Sequence, residues 1–429
     1  MSAKYRILVA MWDGGGTVPP ELAIVKALVR RGHDVRVIGD AVLAAEITAT
    51  GATHIPWATA PQHASRLPEE DFIRDWELRS PPKVFGRVRD RLFCGPAGLF
   101  ANDMEAELRR EPADVAVTSQ MLLGAHIGAE AAHIPIVMLC ANVYPLPGVG
   151  QPPFGAGMRP ARTVLGRTRD YVIGAVMVRM FDTGLDKINA ARARYELAPL
   201  AHTFDQMRGH RTLVLIDDKF DFPATFPSQV QYAGAQLDDP GWADVWAPPA
   251  GDDPLVLVAM SSSYQRQDDA LRRVATALGA LPVRAVLTTG PAIDPATVQA
   301  PPNVTVVQSA PHADVLSHAA AVVTHGGHGT VAKTLAAGVP MLVMPMGRDQ
   351  GDNAARVVAH GAGLRLKTKA SPRAIARDVT RLLDEPSFRD NARRVGEHIV
   401  STAGPSIAVA AIEEEAARTK TNSGARGRT

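Results

Sequence analysis

The stretch "VVTHGGHGTVAKTLAAGVPMLVMPMGRDQGDNAARV", residues 322–357, decides the architecture. An apolar run of strand length ends in small residues, a helical pattern follows, and "PMLVMP" is a second apolar run. Near-continuous apolar strands alternating with helices belong to a parallel sheet covered on both faces. The glycines let the backbone approach a ligand closely, and the free N–H groups at the start of the helix attract a diphosphate. His325 and the Thr330 hydroxyl can donate to phosphate oxygens. Past the next strand, "RDQ" sets Asp349 beside Gln350, a carboxylate and an amide suited to gripping several sugar hydroxyls.

Working outward, the same alternation starts near residue 254 with "PLVLVAMSSS" and continues through a helix over 268–279, "VRAVLTTG", "NVTVVQS" and a helix over 331–337. The first forty residues repeat the theme: strand "YRILVAMW", a helix from Pro19 or Pro20 to Gly32, and strand "VRVIGD". "DVAVTS", "MLLGAHIGAEAAH" and "IPIVMLCA" extend it, and a long helix is expected over 169–196. The pattern predicts two similar α/β halves. Residues 236–254, Pro- and Asp-rich and without periodicity, read as the linker. The expected division is 1–235, 236–254 and 255–403, with 404–429 a C-terminal helix that packs back on the first half and a polar, disordered tail after about Ala417.

Composition narrows the function. A formal net charge of +2, evenly spread, excludes a nucleic-acid binder working through a basic stripe. Cys94 and Cys140 are the two cysteines and have no metal-like spacing, which reads as reduced thiols in a cytoplasmic protein. No apolar stretch runs uninterrupted for about eighteen residues, so no membrane span is expected.

Two nucleotide motifs come close and fail. "GHGTVAKT" (327–334) is nearly a P-loop, but Ala332 stands where the glycine before the lysine belongs. "WDGGGTVPPELA" (12–23) places Gly14, Gly16 and Asp40 as a dinucleotide fingerprint would, but Pro19 replaces the third glycine, which disfavours an NAD-dependent oxidoreductase. His33 reads as a helix-end residue. Most of the aspartate pairs sit in loop-like stretches and read as solvated, and His325 with His328 lacks a third ligand, so no metal is expected.

Taken together, "THGGHGT…LAAGVPMLVMP…DQ…NAARV", the "SSS" after the strand near 255 and the N-terminal "GGG.VPPELA…LVRRGHDV" resemble family 1 glycosyltransferases of the two-domain GT-B fold. The likeness is to the actinobacterial branch that glycosylates natural products. It implies two Rossmann-like domains facing across a cleft, with the acceptor in the first and a nucleotide sugar, TDP- or UDP-linked, in the second. No other cofactor is implied, and a homodimer is compatible with it. It implies that His325 contacts the donor phosphate. Gly327, His328, Gly329 and Thr330 would line the diphosphate turn, Ser262 would meet a phosphate, and Asp349 and Gln350 would hold the sugar. Ser309 stands where relatives often carry the aromatic that stacks on the base.

In such relatives the residue after the opening glycines is commonly a histidine that deprotonates the acceptor, often oriented by an aspartate. Here these positions are Thr17 and Ser119, and neither hydroxyl is a base at neutral pH. Three explanations follow: an acceptor already acidic, such as a phenol; another base, with Asp13 and His126 as candidates; or a poorly active homologue serving as auxiliary partner of another transferase. The acceptor is expected to be small and apolar. Phe72, Trp76, Phe85, Phe93 and Phe100, with Tyr144, Phe154, Tyr171, Met177, Met180 and Phe181, are the aromatic and methionine residues that either line its pocket or fill the core.

Overall fold

The computed structural model describes residues 3–426 apart from 147, 240 and 242–245. Two parallel sheets organise it. The first holds β1 (Arg6–Ala10), β2 (Asp34–Gly39), β3 (Thr53–Pro56), β4 (Val115–Ser119), β5 (Ile136–Cys140), β6 (Arg211–Val214) and β7 (Val230–Tyr232), in the order β3-β2-β1-β4-β5-β6-β7. The second holds β8 (Leu255–Ala259), β9 (Arg284–Thr288), β10 (Val304–Val307), β11 (Ala319–Thr324), β12 (Met341–Val343) and β13 (Gly363–Arg365), in the order β10-β9-β8-β11-β12-β13. Central strands such as β4, β5 and β8 are buried along their whole length, because helices cover both faces.

In each sheet the chain works outward from its first strand and then returns to that strand's other side. The reversals fall between β1 and β4 and between β8 and β11. At such a reversal the loops leaving the carboxyl ends of neighbouring strands part in opposite directions and open a crevice. The loops after β1, β8 and β11 are those that carry the glycine- and serine-rich motifs.

The expected helix over 169–196 is two helices, Val164–Asp182 and Leu185–Ala193. They part at Gly184, where a Cβ would stand 2.8 Å from the Cys94 sulfur, so the chain turns where it presses on that buried thiol. Helices Pro81–Val88, Ala97–Arg110, Pro372–Asp384 and Pro386–Thr402 carry no motif and went unread in the sequence.

Part of the expected linker, residues 240 and 242–245, lies outside the described residues, as do residues 427–429 of the expected tail. The rest of that tail is helical: helix Ser406–Arg426 continues through it, supported by Arg418 pairing with Glu414 and Glu415 one turn back. This helix leaves the second half and packs on the first. Val409, Ile412 and Ala416 join the cluster of Ile7, Ile24 and Leu28, and Glu413 receives Arg31 and His33, each at 2.7 Å. Residues 386–418 are the one helical run among the described residues long and apolar enough to cross a membrane by length and composition. Part of their apolar surface packs on the two sheets, Val395 and Ile399 on the second and Val409 and Ile412 on the first, while Val400 and Ile407 stay exposed.

Candidate active site

The crevices of the two sheets face each other and share one cavity of about 350 Å³. On the second half, β11 ends at Thr324, whose hydroxyl accepts the Gly326 N–H at 3.1 Å. Gly326 adopts φ +94, and a Cβ there would stand 2.6 Å from Val343, so only glycine makes this turn. Helix His328–Ala336 starts immediately afterwards and turns its free N–H groups to the cavity.

His325 lies against this turn. Its Nε2 sits over Gly327, where a Cβ would be 2.5 Å away, and its Nδ1 lies 3.4 Å from the Ala259 carbonyl. Burial pushes the imidazole down to about 4, against a weaker upward pull from that carbonyl, so the ring is neutral at physiological pH. His328 is also buried and pushed down to about 4; its Nε2 meets the Leu215 carbonyl of the first half at 3.2 Å. Ser262, Ser309, Gly329 and Thr330 line the same cavity.

Asp349 and Gln350 line it too. Burial raises the Asp349 carboxyl, while Asn353 donates to it at 2.9 Å. The Gln350 side chain accepts from the backbone of Met346 and Gly347 and donates to Gln265, so it shapes the loop that presents Asp349.

The wall opposite belongs to the loop after β1. Gly15 (φ +69) comes so close to the second half that a Cβ would be 3.0 Å from the Ser262 hydroxyl. Asp13 lines the cavity; its carboxylate accepts Gly15 N–H at 3.0 Å and pairs with Arg66 at 2.7 Å. Thr17 lines it as well, and its hydroxyl makes no hydrogen bond to protein.

Two candidates are not brought here. Ser119, the last residue of β4, is buried beneath the loop beside Glu21, away from the cavity wall. His126 is fully buried, with Nε2 on the Ser119 carbonyl at 3.3 Å and its ring 5.9 Å from that of His210. Burial holds it near 3. As a candidate base His126 is therefore corrected to a neutral core histidine: helix Leu123–Ala131 turns it inward against the sheet.

The aromatics divide. Phe85, Phe93, Phe154 and Phe181 line the cavity, giving its first-half side an apolar wall. Phe100 is core, edge-on to Trp57, and Tyr171 is 77% exposed. Tyr144 and Met177, with Phe154 again, line a second cavity of about 310 Å³.

Two groups escaped the sequence reading. Asp40, His63 and Asp71 form a chain of contacts, Nδ1 to Asp40 at 2.7 Å and Nε2 to Asp71 at 3.5 Å. Arg348 reaches across the cleft to Asp75 at 3.0 Å and, within its own half, to Ser263 at 3.0 Å. His63 stands in "PQHASR", without motif or periodicity, and its partners come from other loops; only Asp40, noticed as a strand-end carboxylate, carried a signal.

Comparison with known proteins agrees with this geometry. Residues 272–415 match the family described as erythromycin biosynthesis protein CIII-like, C-terminal domain. The chain is 30% identical over 421 residues to 4'-demethylrebeccamycin synthase of Lentzea aerocolonigenes, covering 95% of this chain and 99% of that protein. The structure of the calicheamicin glycosyltransferase CalG4 superposes with a TM-score of 0.73 at 24% identity, covering 97% of this chain and 99% of that one. That of glycosyltransferase VinC, in complex with dTDP, gives 0.69 at 19% identity, covering 96% and 100%. The chain belongs to the actinobacterial natural-product family 1 glycosyltransferases and has their GT-B fold. Its co-substrate is a nucleotide-activated sugar.

Proposed function

We propose that the protein moves a sugar from a TDP- or UDP-sugar to a small apolar acceptor whose reacting group is phenolic or otherwise acidic, with inversion at the anomeric carbon. Residues 255–403 bind the donor and residues 1–235 the acceptor. The observation that carries this reading is the single cavity with two unlike walls: a glycine turn and helix N-terminus on one side, phenylalanines on the other. The dTDP held by VinC favours a thymidine nucleotide.

In this reading the diphosphate sits at the start of helix His328–Ala336, and His325 faces it. Bringing two negative charges beside a buried neutral imidazole raises its pKa, so His325 takes up a proton with the diphosphate and stabilises the leaving group. Asp349 holds sugar hydroxyls. The acceptor oxygen attacks from the face opposite the nucleotide, while the closed cleft excludes water.

The test is a transfer assay with simple phenols, read by mass spectrometry for the added sugar and by NMR for anomeric configuration. An inverted O-glycoside supports the reading; a retained configuration removes the single-displacement mechanism. His325→Ala is expected to lower kcat roughly a hundredfold or more, as loss of transition-state charge stabilisation does. Unchanged turnover and donor affinity in that variant would contradict the role given to His325.

A further inference from the structure

The cleft holds an aspartate–histidine pair that the donor site does not use. Asp40 follows β2 at the carboxyl edge of the sheet and is 1% exposed. One of its oxygens accepts the backbone N–H of Asp13 at 3.1 Å and of His63 at 3.2 Å, and lies 2.7 Å from His63 Nδ1. Nδ1 therefore donates to a buried carboxylate, which fixes the tautomer and leaves Nε2 to face Asp71. The contact to Asp71, at 3.5 Å, is at the outer limit of a hydrogen bond. His63 and Asp71 both line the cavity. The imidazole stands between Trp12 and Phe72, with centroids at 6.3 and 4.6 Å, so its ring plane is held.

We propose that His63, oriented by Asp40, takes the proton from the acceptor's hydroxyl at Nε2. This rests on the sugar-transfer reading above. Thr17 cannot take a proton, the Asp13 carboxylate is tied to Arg66 and Gly15, and His126 lies in the core. The same loop that Asp40 anchors through Asp13 carries Gly15 against Ser262, which joins the pair to the donor side.

The acceptor hydroxyl displaces the weak Asp71 contact at Nε2. Its O–H bond breaks, the proton passes to Nε2, and the freed electron pair forms the bond to the anomeric carbon. The bond from that carbon to the diphosphate breaks, and its electrons leave with the nucleoside diphosphate. The imidazolium then rests between Asp40 and Asp71 until solvent takes the proton.

The charged groups around the ring are Asp40, Asp71 and Asp13, with Arg66 paired to Asp13. Burial alone would push His63 down, but the hydrogen bonds to Asp40 and Asp71 and the charges of Asp40 and Asp13 outweigh it and raise it to about 9. Turnover therefore climbs with pH and levels off above about 9, where the imidazole is free.

The experiment compares wild type, His63→Gln and Asp71→Asn, with the nucleotide sugar whose nucleotide raises the melting temperature. The acceptors are a weakly acidic phenol and a nitrophenol, across pH 6 to 10. His63→Gln is expected to lose on the order of a hundred- to ten-thousand-fold in kcat on the weak phenol and less on the nitrophenol, without its pH limb. Its nucleotide-induced melting shift stays. Asp71→Asn, lacking one of the two carboxylates, shifts the limb to lower pH. A His63→Gln enzyme within threefold of wild type with its limb intact overturns the proposal. If that variant does not fold, an unmoved limb in Asp71→Asn overturns it instead. A wild type that binds nucleotide but glycosylates neither phenol overturns the phenolic-acceptor reading, and the proposal with it.

Discussion

Beneath the glycine loop, Glu21 is 1% exposed, with the Ser119 hydroxyl as its polar side-chain neighbour. Burial raises it to about 8, against a small opposing pull from the Ser119 hydroxyl beside it. The folded protein thus holds a proton here that the unfolded chain, with an ordinary carboxyl near 4.5, releases. With the folded value raised, the stabilising contribution is complete below about 4.5 and is lost as pH rises through 8. Glu21→Gln keeps the shape without the ionisation. It is expected to raise stability above pH 8 by on the order of a few kcal/mol and to leave it nearly unchanged at pH 5, as read by urea unfolding at both pH values. His325 has the opposite sense. In the proposed mechanism its proton arrives with the diphosphate, so nucleotide affinity is expected to strengthen as pH falls from 8 to 6, and proton uptake should be measurable by calorimetry in buffers of different ionisation enthalpy. These two residues differ in how legible they were. His325 stands in a glycine-rich motif between a strand and a helix, where the sequence marks it as a candidate. Glu21 shows only as one polar residue in a helix, because its neighbour Ser119 stands at the end of β4, far along the chain.

At the scale of elements, one contact gathers the strained backbone. Arg74, Arg266 and Arg348 adopt φ of +47, +55 and +55, three of the five non-glycine residues in the left-handed region among those described. Arg348 pairs with Asp75, Arg266 lies 5.7 Å over the Trp76 ring, and Trp76 meets Tyr264 edge-on at 5.1 Å. Such conformations cost about 1 kcal/mol or more each and persist where surrounding contacts impose them. The segment around Asp75 belongs to the first half, and Arg348 directly precedes Asp349, so this clamp joins one wall of the cavity to the other. Asp75→Asn is expected to raise the donor KM about tenfold and to lower kcat with it, since hinge and closure contacts change both together. A change in acceptor KM alone, in steady-state kinetics, would count against the coupling. The alternation of strands and helices made both sheets readable in advance, because buried parallel strands leave long apolar runs. The helices between 81 and 110 and the clamp itself were not readable, since they depend on partners distant in sequence.

At the scale of the whole molecule, the chain crosses back to the half where it began. Helix Ser406–Arg426 buries Val409 and Ile412 in the first half's core, and Glu413 closes on His33 and Arg31. The His33 side chain is wholly buried, so Glu413→Ala strands its Nε2. That loss is expected to cost about 1–3 kcal/mol, seen as a lower melting temperature with nucleotide affinity retained. Lost nucleotide binding would mean that the helix sets the cleft geometry rather than only securing the first half. The central claim, a cleft that takes a nucleoside diphosphate, is tested most directly by melting the protein with TDP, UDP, ADP, ATP and NADH in turn. A ligand at about a hundred times its dissociation constant adds roughly 2.7 kcal/mol. The account predicts a clear upward shift with TDP or UDP, lost in His325→Ala, and none with NADH or ATP. A shift with NADH or ATP alone would contradict it.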